Sequence, residues 1–220
     1  MKKRVAVILA GCGVFDGAEI QESVLALLAL DREGAEAVCL APNVAQAKVT
    51  DHLHGVDGGP ERNVLVESAR ISRGQISDLA TARPEEFDAI LLPGGYGAAL
   101  NLSDFAQRGA DCRVHPDVDR FLEGALALHK PIGALCIAPA VLARVLQRTG
   151  RTAKLTIGDD PEVAAAIDRM GQQHVLCEAT AVVVDAERKI VSSPCYMRAE
   201  RIGEVAAGID QAVREVLRMA

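Results

Sequence analysis

The residues best suited to chemistry form one run, Gly133-Ala134-Leu135-Cys136-Ile137-Ala138-Pro139-Ala140. A cysteine where a short apolar segment gives way to a helical pattern meets the geometry of a nucleophile elbow, with its reactive atom protruding at the carboxyl end of a sheet. Small neighbours permit the turn. The following helix would aim its N-terminal amides and positive dipole end at the sulfur, favouring thiolate over thiol and making Cys136 the most easily oxidised cysteine of the chain. Spacing alone fits a core cysteine equally well, because free cysteine is among the most buried residue types. Two further features bear on the choice. Pro93-Gly94-Gly95-Tyr96-Gly97-Ala98 places three glycines after another apolar segment, so the backbone can pass close to a ligand and point N–H groups at a developing oxyanion. Glu19 and Glu22 open a helical pattern after the first apolar segment. One of them could lean toward Cys136, although an acidic first turn that complements the helix dipole explains either residue without function.

The glycines Gly11, Gly13 and Gly17 follow the first apolar segment and invite a dinucleotide-binding reading. That reading fails on its acidic partner: the second strand ends Cys39-Leu40-Ala41-Pro42, with nothing to hold a ribose hydroxyl. The loop is read instead as a wall of a different site, which places Cys12 near Cys136. The six cysteines (12, 39, 112, 136, 177, 195) are scattered through a chain long enough to fold without staples, and disulfides are not implied. No C-x-x-C pair or histidine spacing marks a zinc site, so no metal is expected.

Certain elements must position these residues. Arg4 to Leu9 is a β-branched run without polar alternation, the pattern of a parallel strand covered on both faces. A helical pattern over 19–33 ends at Gly34, where a C-cap belongs. Further strands are predicted at 37–40, 89–92 and 132–135, with helices at about 63–72 and 117–129 between them. After Cys136 come a helix over 138–146, a strand at 155–157 and a helix over 161–170 opened by Pro161. Segments 181–184 and 189–192 flank a polar turn and read as an antiparallel hairpin at a sheet edge. A helix over 199–219 closes the chain. The segment 43–60 is the least periodic and reads as an inserted loop or small hairpin. Alternating strands and helices predict an α/β fold, a doubly wound, mostly parallel sheet in one domain spanning 1–220.

Composition sets limits. The chain has 220 residues, half of them hydrophobic but only 3% aromatic, so its core must be aliphatic and disorder is excluded. A net charge of -6 without a basic run argues against nucleic acid. No apolar stretch reaches the roughly 20 residues needed to span a bilayer. The start, Met1-Lys2-Lys3-Arg4, runs directly into a strand rather than a signal peptide, which reads as cytoplasmic.

Strand-Pro-Gly-Gly-x-x-Ala followed by Gly-Ala-Leu-Cys-Ile-Ala-Pro resembles the PfpI superfamily, the class I glutamine amidotransferase-like proteins. Within it, residues 8–22, Arg62-Asn63-Val64-Leu65, residues 93–102 and Cys136-Ile137-Ala138-Pro139-Ala140 look like the ElbB branch, the isoprenoid-biosynthesis glyoxalases related to the sigma cross-reacting protein. The resemblance implies a flavodoxin-like fold with helices on both faces of the sheet, a homodimer, and Cys136 as nucleophile. The superfamily's acid lies on the first helix twelve residues before its closing glycine, which maps to Glu22, with Glu19 as the fallback. Its oxyanion amides map to Gly95 and Ile137, with Gly94 beside them.

The chain also departs from the superfamily pattern. Ile137 stands where many members have a histidine after the nucleophile, and His174 is the only histidine downstream, in no matching motif. Glutaminase and protease activities are therefore not expected. What remains is a weak, cofactor-independent and glutathione-independent glyoxalase, a lyase acting on small aldehydes such as glyoxal or methylglyoxal. The alternative is a non-catalytic redox-responsive protein that uses the same cysteine.

Overall fold

The structure is a computed structural model that describes residues 2–220. Its first strand, β1 (Arg4–Ile8), is buried over its last four residues, as a β-branched run covered on both faces must be. The chain continues through α1 (Ile20–Arg32), β2 (Glu36–Ala41), the ribbon of β3 (Thr50–Asp51) and β4 (Val56–Asp57), α2 (Val64–Ile71), β5 (Ile76–Asp78) and β6 (Ala89–Leu92). Next come α3 (Tyr96–Leu100), α4 (Phe105–Arg108), α5 (Pro116–Ala127), β7 (Ile132–Leu135) and α6 (Ala138–Arg148). The remainder holds β8 (Lys154–Leu155), α7 (Pro161–Arg169), β9 (Gln173–His174), β10 (Val183–Asp185), β11 (Ile190–Ser193) and α8 (Ile202–Met219).

Seven strands form the central sheet in the order β10-β11-β7-β6-β1-β2-β5, and every neighbouring pair is parallel except β10 with β11. The mostly parallel α/β sheet predicted from the sequence is therefore what forms. The chain builds outward from β1 to β2 and β5, then returns to lay β6, β7 and β11 on the other side. The reversal falls between β1 and β6, and ligands of such sheets bind beyond the carboxyl ends of the strands at that switch point. Helix α1 packs beside α8, and α5 beside α6. The core is aliphatic, and each fully buried side chain such as Ile8, Leu91 or Leu122 contributes about 1.5–3 kcal/mol.

Several elements differ from expectation. The predicted hairpin forms, but only β10 lies at the edge, because β11 pairs in parallel with β7. That pairing carries the end of β11 to the end of β7. The strand expected at 155–157 is shorter and joins β9 in a separate two-stranded ribbon. Strand β5 has three residues, too few for periodicity to reveal, and α3 begins immediately after Gly95, where only a loop was expected. Segment 43–60 holds the β3–β4 ribbon. Among the described residues no helix is long and apolar enough to cross a membrane.

Candidate active site

Cys136 sits between β7 and α6 with φ at +56, a left-handed conformation that non-glycine residues rarely adopt without support. The support is visible: its N–H donates to the Ser193 carbonyl at 2.9 Å, and α6 starts two residues later. Its sulfur meets the carboxylate of Glu22 and the N–H groups of Gly95 and Ile137, which donate toward it.

Glu22, not Glu19, reaches the sulfur, and the start of α1 explains why. Glu19 is the N-cap, in extended conformation, and its own N–H donates to the Gly94 carbonyl at 2.9 Å. Its Oε2 accepts from the Glu22 N–H at 2.6 Å. With one acid satisfying the helix end, the acid three residues on is released from capping and turns inward. Glu22 is fully buried; its Oε2 accepts from the Gly94 N–H at 3.0 Å and its Oε1 from the Tyr196 N–H at 3.2 Å.

Gly94 has to be glycine. A Cβ there would strike the Cβ of Cys136 and lie 2.6 Å from Glu22 Oε2 and 2.9 Å from Cys136 Sγ. Its N–H is committed to Glu22, so the expectation that Gly94 helps hold an oxyanion is corrected: it orients the carboxylate. Gly95, at φ +95, brings its backbone against that of Gly17 and Glu19, too close for any side chain. The expectation that the first loop brings Cys12 beside Cys136 is corrected as well. Cys12 lies on the α2 side of its loop, with Glu67, Arg70, Asp16 and Arg62 as its charged neighbours. Its loop turns that way because the Gly11 N–H donates to Ser68 Oγ on α2 at 2.9 Å.

The electrostatics overturn one expectation. The N-terminus of α6 was expected to favour thiolate, yet burial and then the Glu22 charge push the Cys136 thiol well above its ordinary value. Loss of hydration outweighs the two amides and the helix dipole. Burial likewise pushes Glu22 up to about 7, opposed by the Tyr196 N–H and reinforced by Glu19. Around neutral pH the thiol therefore keeps its proton while the Glu22 carboxyl is passing from protonated to ionised, with sulfur the more basic partner.

Cys136 is nearly buried, at 7% exposure. The neighbouring Ile137 forms the wall of a cavity of about 280 Å³ together with Tyr96, Ala99, Phe105, Val163 and Ala166. A larger cavity, about 680 Å³, lies at the opposite end of the strands between Lys2, Lys3 and the end of α8, and is lined by no cysteine. His174 accepts from the Ile157 N–H at 3.4 Å, and among the described residues no histidine adjoins Cys136. Nor do the described residues gather three or more His, Cys, Asp or Glu in position to hold a metal ion.

Sequence reasoning missed the contribution of 193–196. The Ser193 carbonyl, the Cys195 thiol and the Tyr196 N–H all converge on the pair from the end of β11. A hairpin read as lying at the sheet edge offers no sign of this, and the only available signal was Pro194-Cys195 closing a strand.

No family model matches the chain. It is 42% identical over 226 residues to the human glutamine amidotransferase-like class 1 domain-containing protein 3, mitochondrial, a match covering 98% of this chain and 83% of that protein. It is 40% identical to the rat ES1 protein homolog, mitochondrial, with 99% of this chain and 84% of the relative covered. The crystal structure of an isoprenoid biosynthesis protein with amidotransferase-like domain from Ehrlichia chaffeensis superimposes with a TM-score of 0.92 at 40% identity, covering 99% of this chain and all of that one. A glyoxalase III from Candida albicans shares the fold at a TM-score of 0.65 and 12% identity, covering 99% of this chain and 97% of that one. The curated relatives are mitochondrial, and this overturns the cytoplasmic reading. That reading rested on a few residues at the start of the chain, and an address is not a property of the fold. Identity at this level over nearly the whole chain places it in the family of glutamine amidotransferase-like class 1 domain proteins that includes the ES1 proteins.

Proposed function

We propose that the protein is a cofactor-independent, glutathione-independent glyoxalase that converts small 2-oxoaldehydes to 2-hydroxy acids. The observation that carries this reading is the Cys136–Glu22 pair, a thiol beside a buried carboxyl group pushed up to about 7, with the Gly95 and Ile137 amides directed at the same point. An acid–base group poised near the operating pH is the most effective one. The Cys136 sulfur adds to the aldehyde carbon while Glu22 takes the thiol proton. The developing oxyanion is met by the Gly95 and Ile137 N–H groups and is protonated to a hemithioacetal. Glu22 then removes the hydrogen from the former aldehyde carbon and returns a proton to the adjacent carbon through an enediol. The resulting 2-hydroxy thioester is cleaved by water, which releases the acid and restores the thiol. No histidine assists, so a slow enzyme is expected. Consumption of a panel of small 2-oxoaldehydes by wild type and Cys136→Ala tests the reading. Loss of glyoxal and methylglyoxal at equal rates with both proteins would refute it.

One observation favours a second reading, a non-catalytic redox-responsive protein that uses the same cysteine: the thiol lacks an imidazole, yet a second thiol stands beside it. In either role we take the active form to be a homodimer. Ile20, Val24 and Leu28, spaced four apart on α1, are 45%, 48% and 39% exposed and form an apolar stripe of the kind a partner subunit covers. Light scattering at micromolar concentration should give twice the 23.2 kDa chain mass, and a monomer mass would exclude this assembly.

A further inference from the structure

The aldehyde chemistry above makes no use of Cys195, a second thiol buried beside the first. Strands β7 and β11 run parallel with Leu135 opposite Ser193, so they end side by side, roughly 4.8 Å apart as neighbouring strands are. Each then delivers a cysteine within two residues. The Cys136 N–H, which donates to the Ser193 carbonyl at 2.9 Å, also faces the Cys195 sulfur. The next residue, Tyr196, donates its N–H to Glu22 Oε1 at 3.2 Å. Cys195 thus lies against the backbone of Cys136, with the carboxylate that adjoins the Cys136 sulfur among its neighbours. It has no exposed surface.

The backbone sets the two cysteines apart. Among the described residues five non-glycine residues have left-handed φ; Arg73, His129 and Lys189 occupy turns between elements, and the other two are Cys136 at +56 and Cys195 at +46. Such conformations cost about 1–3 kcal/mol and persist where the surroundings over-determine them, which is often at functional sites. The other cysteines lie elsewhere: Cys39 in β2, Cys112 buried ahead of α5, Cys12 and Cys177 half-buried in other surroundings.

We propose that Cys195 is the resolving thiol of Cys136, so that a peroxide converts this pair into an intramolecular disulfide. The Cys136 sulfur attacks the peroxide, the O–O bond breaks, sulfur takes up one oxygen to become a sulfenic acid, and the other oxygen leaves as water, or as the alcohol of an organic peroxide. The Cys195 sulfur then attacks the Cys136 sulfur, the S–O bond breaks, and the oxygen leaves with the Cys195 proton as a second water. Two electrons pass from the two thiols to one peroxide, and a small thiol reductant reverses the change. The partner is close and shielded from solvent, so condensation competes with a second peroxide that would carry Cys136 on to the irreversible sulfinic acid. This inference deepens the redox-responsive reading and does not depend on aldehyde turnover.

The experiment uses the full reduced chain with a small molar excess of hydrogen peroxide, enough for two equivalents per Cys136, followed by alkylation of free thiols, digestion without reductant and mass spectrometry. A peptide pair joining Cys136 to Cys195, abolished by dithiothreitol, is the expected product. With Cys195→Ser, and with Cys195→Ala as the second variant, Cys136 should pass to sulfinate, and dithiothreitol should no longer restore its reaction with iodoacetamide. Cys136 sulfinate in wild type with Cys195 recovered as the alkylated thiol would overturn the proposal, as would a link from Cys136 to any other cysteine. The wild-type result decides the matter even if both variants fold poorly. A protein that consumes no aldehyde yet forms the link refutes the glyoxalase reading alone. One that turns over aldehyde yet goes directly to sulfinate refutes this proposal alone.

Discussion

Two loops at the carboxyl edge of the sheet each present a cysteine among small residues, one after β1 at Cys12 and one after β7 at Cys136. Both thiols are raised mainly by burial, but Cys12 remains half-buried among Glu67, Arg70, Asp16 and Arg62, whose opposing charges partly cancel. Cys136 is held in left-handed backbone against one buried carboxylate, with two N–H groups on its sulfur. Position at a strand end therefore does not fix a cysteine's surroundings. What separates the two is the left-handed backbone that aims the Cys136 sulfur and the buried carboxyl group beside it.

Four measurements test that contrast. The largest effect belongs to the nucleophile: Cys136→Ala should lower methylglyoxal turnover by about 10⁴-fold or more, whereas Cys12→Ala should leave it within about twofold. Equal losses would show that the β1 loop takes part in the chemistry. Next comes the acid. Glu22→Gln should reduce kcat/KM by about 10²–10⁴-fold, and it should remove a rise in the wild-type pH profile centred near 7, the point to which Glu22 is pushed up. A variant that keeps the wild-type profile would assign the proton transfer to another group.

Gly94→Ala tests the packing between the pair, because the new methyl would meet the Cβ of Cys136 and Glu22 Oε2. A loss of up to about 3 kcal/mol in denaturant unfolding is expected, at the upper end for overpacking, since the elbow backbone cannot retreat. An unchanged midpoint would mean that the elbow is far softer than its geometry implies. The smallest effect is on pH-dependent stability. The Glu22 carboxyl titrates at about 7 in the native protein against 4.5 for an unperturbed group. Between these values the native state keeps a proton that the unfolded chain has released, so stability should fall as pH rises through this window, by about 1–3 kcal/mol, and level off above it. Glu22→Gln should lose most of that fall, leaving the smaller contributions of Glu19, which is raised by burial, and His174, which is lowered by it. A wild-type protein whose stability rises from pH 5 to 7 would place the buried charge elsewhere.

Much of this molecule was legible in the chain. The unbroken apolar runs at 4–9, 89–92 and 132–135 could only be strands covered on both faces, and the intervening helical patterns made the sheet parallel. Cys136 was visible because an elbow needs small residues and a helix directly after it, and both are local. The residues alone left Glu19 and Glu22 open, and the resemblance to the superfamily implied Glu22; the cap settled which acid turns inward, since which acid satisfies a helix end depends on where the backbone enters it.

The tertiary structure alone decided what reaches the site from far along the chain. That β11 lies beside β7, and so brings Ser193, Cys195 and Tyr196 to a cysteine about 60 residues earlier, follows from strand order, which no local pattern encodes. The protonation state of Cys136 was decided there too, against the thiolate expected from the chain. A helix N-terminus and two amides favour thiolate, burial and an adjacent carboxylate oppose it, and their balance depends on how completely water is excluded. Local patterns in the chain set which residues were available for chemistry and on which elements they ride. Proximity and dielectric, which turn those residues into a proton-sharing pair with a second thiol at its side, arise only when distant segments close over them.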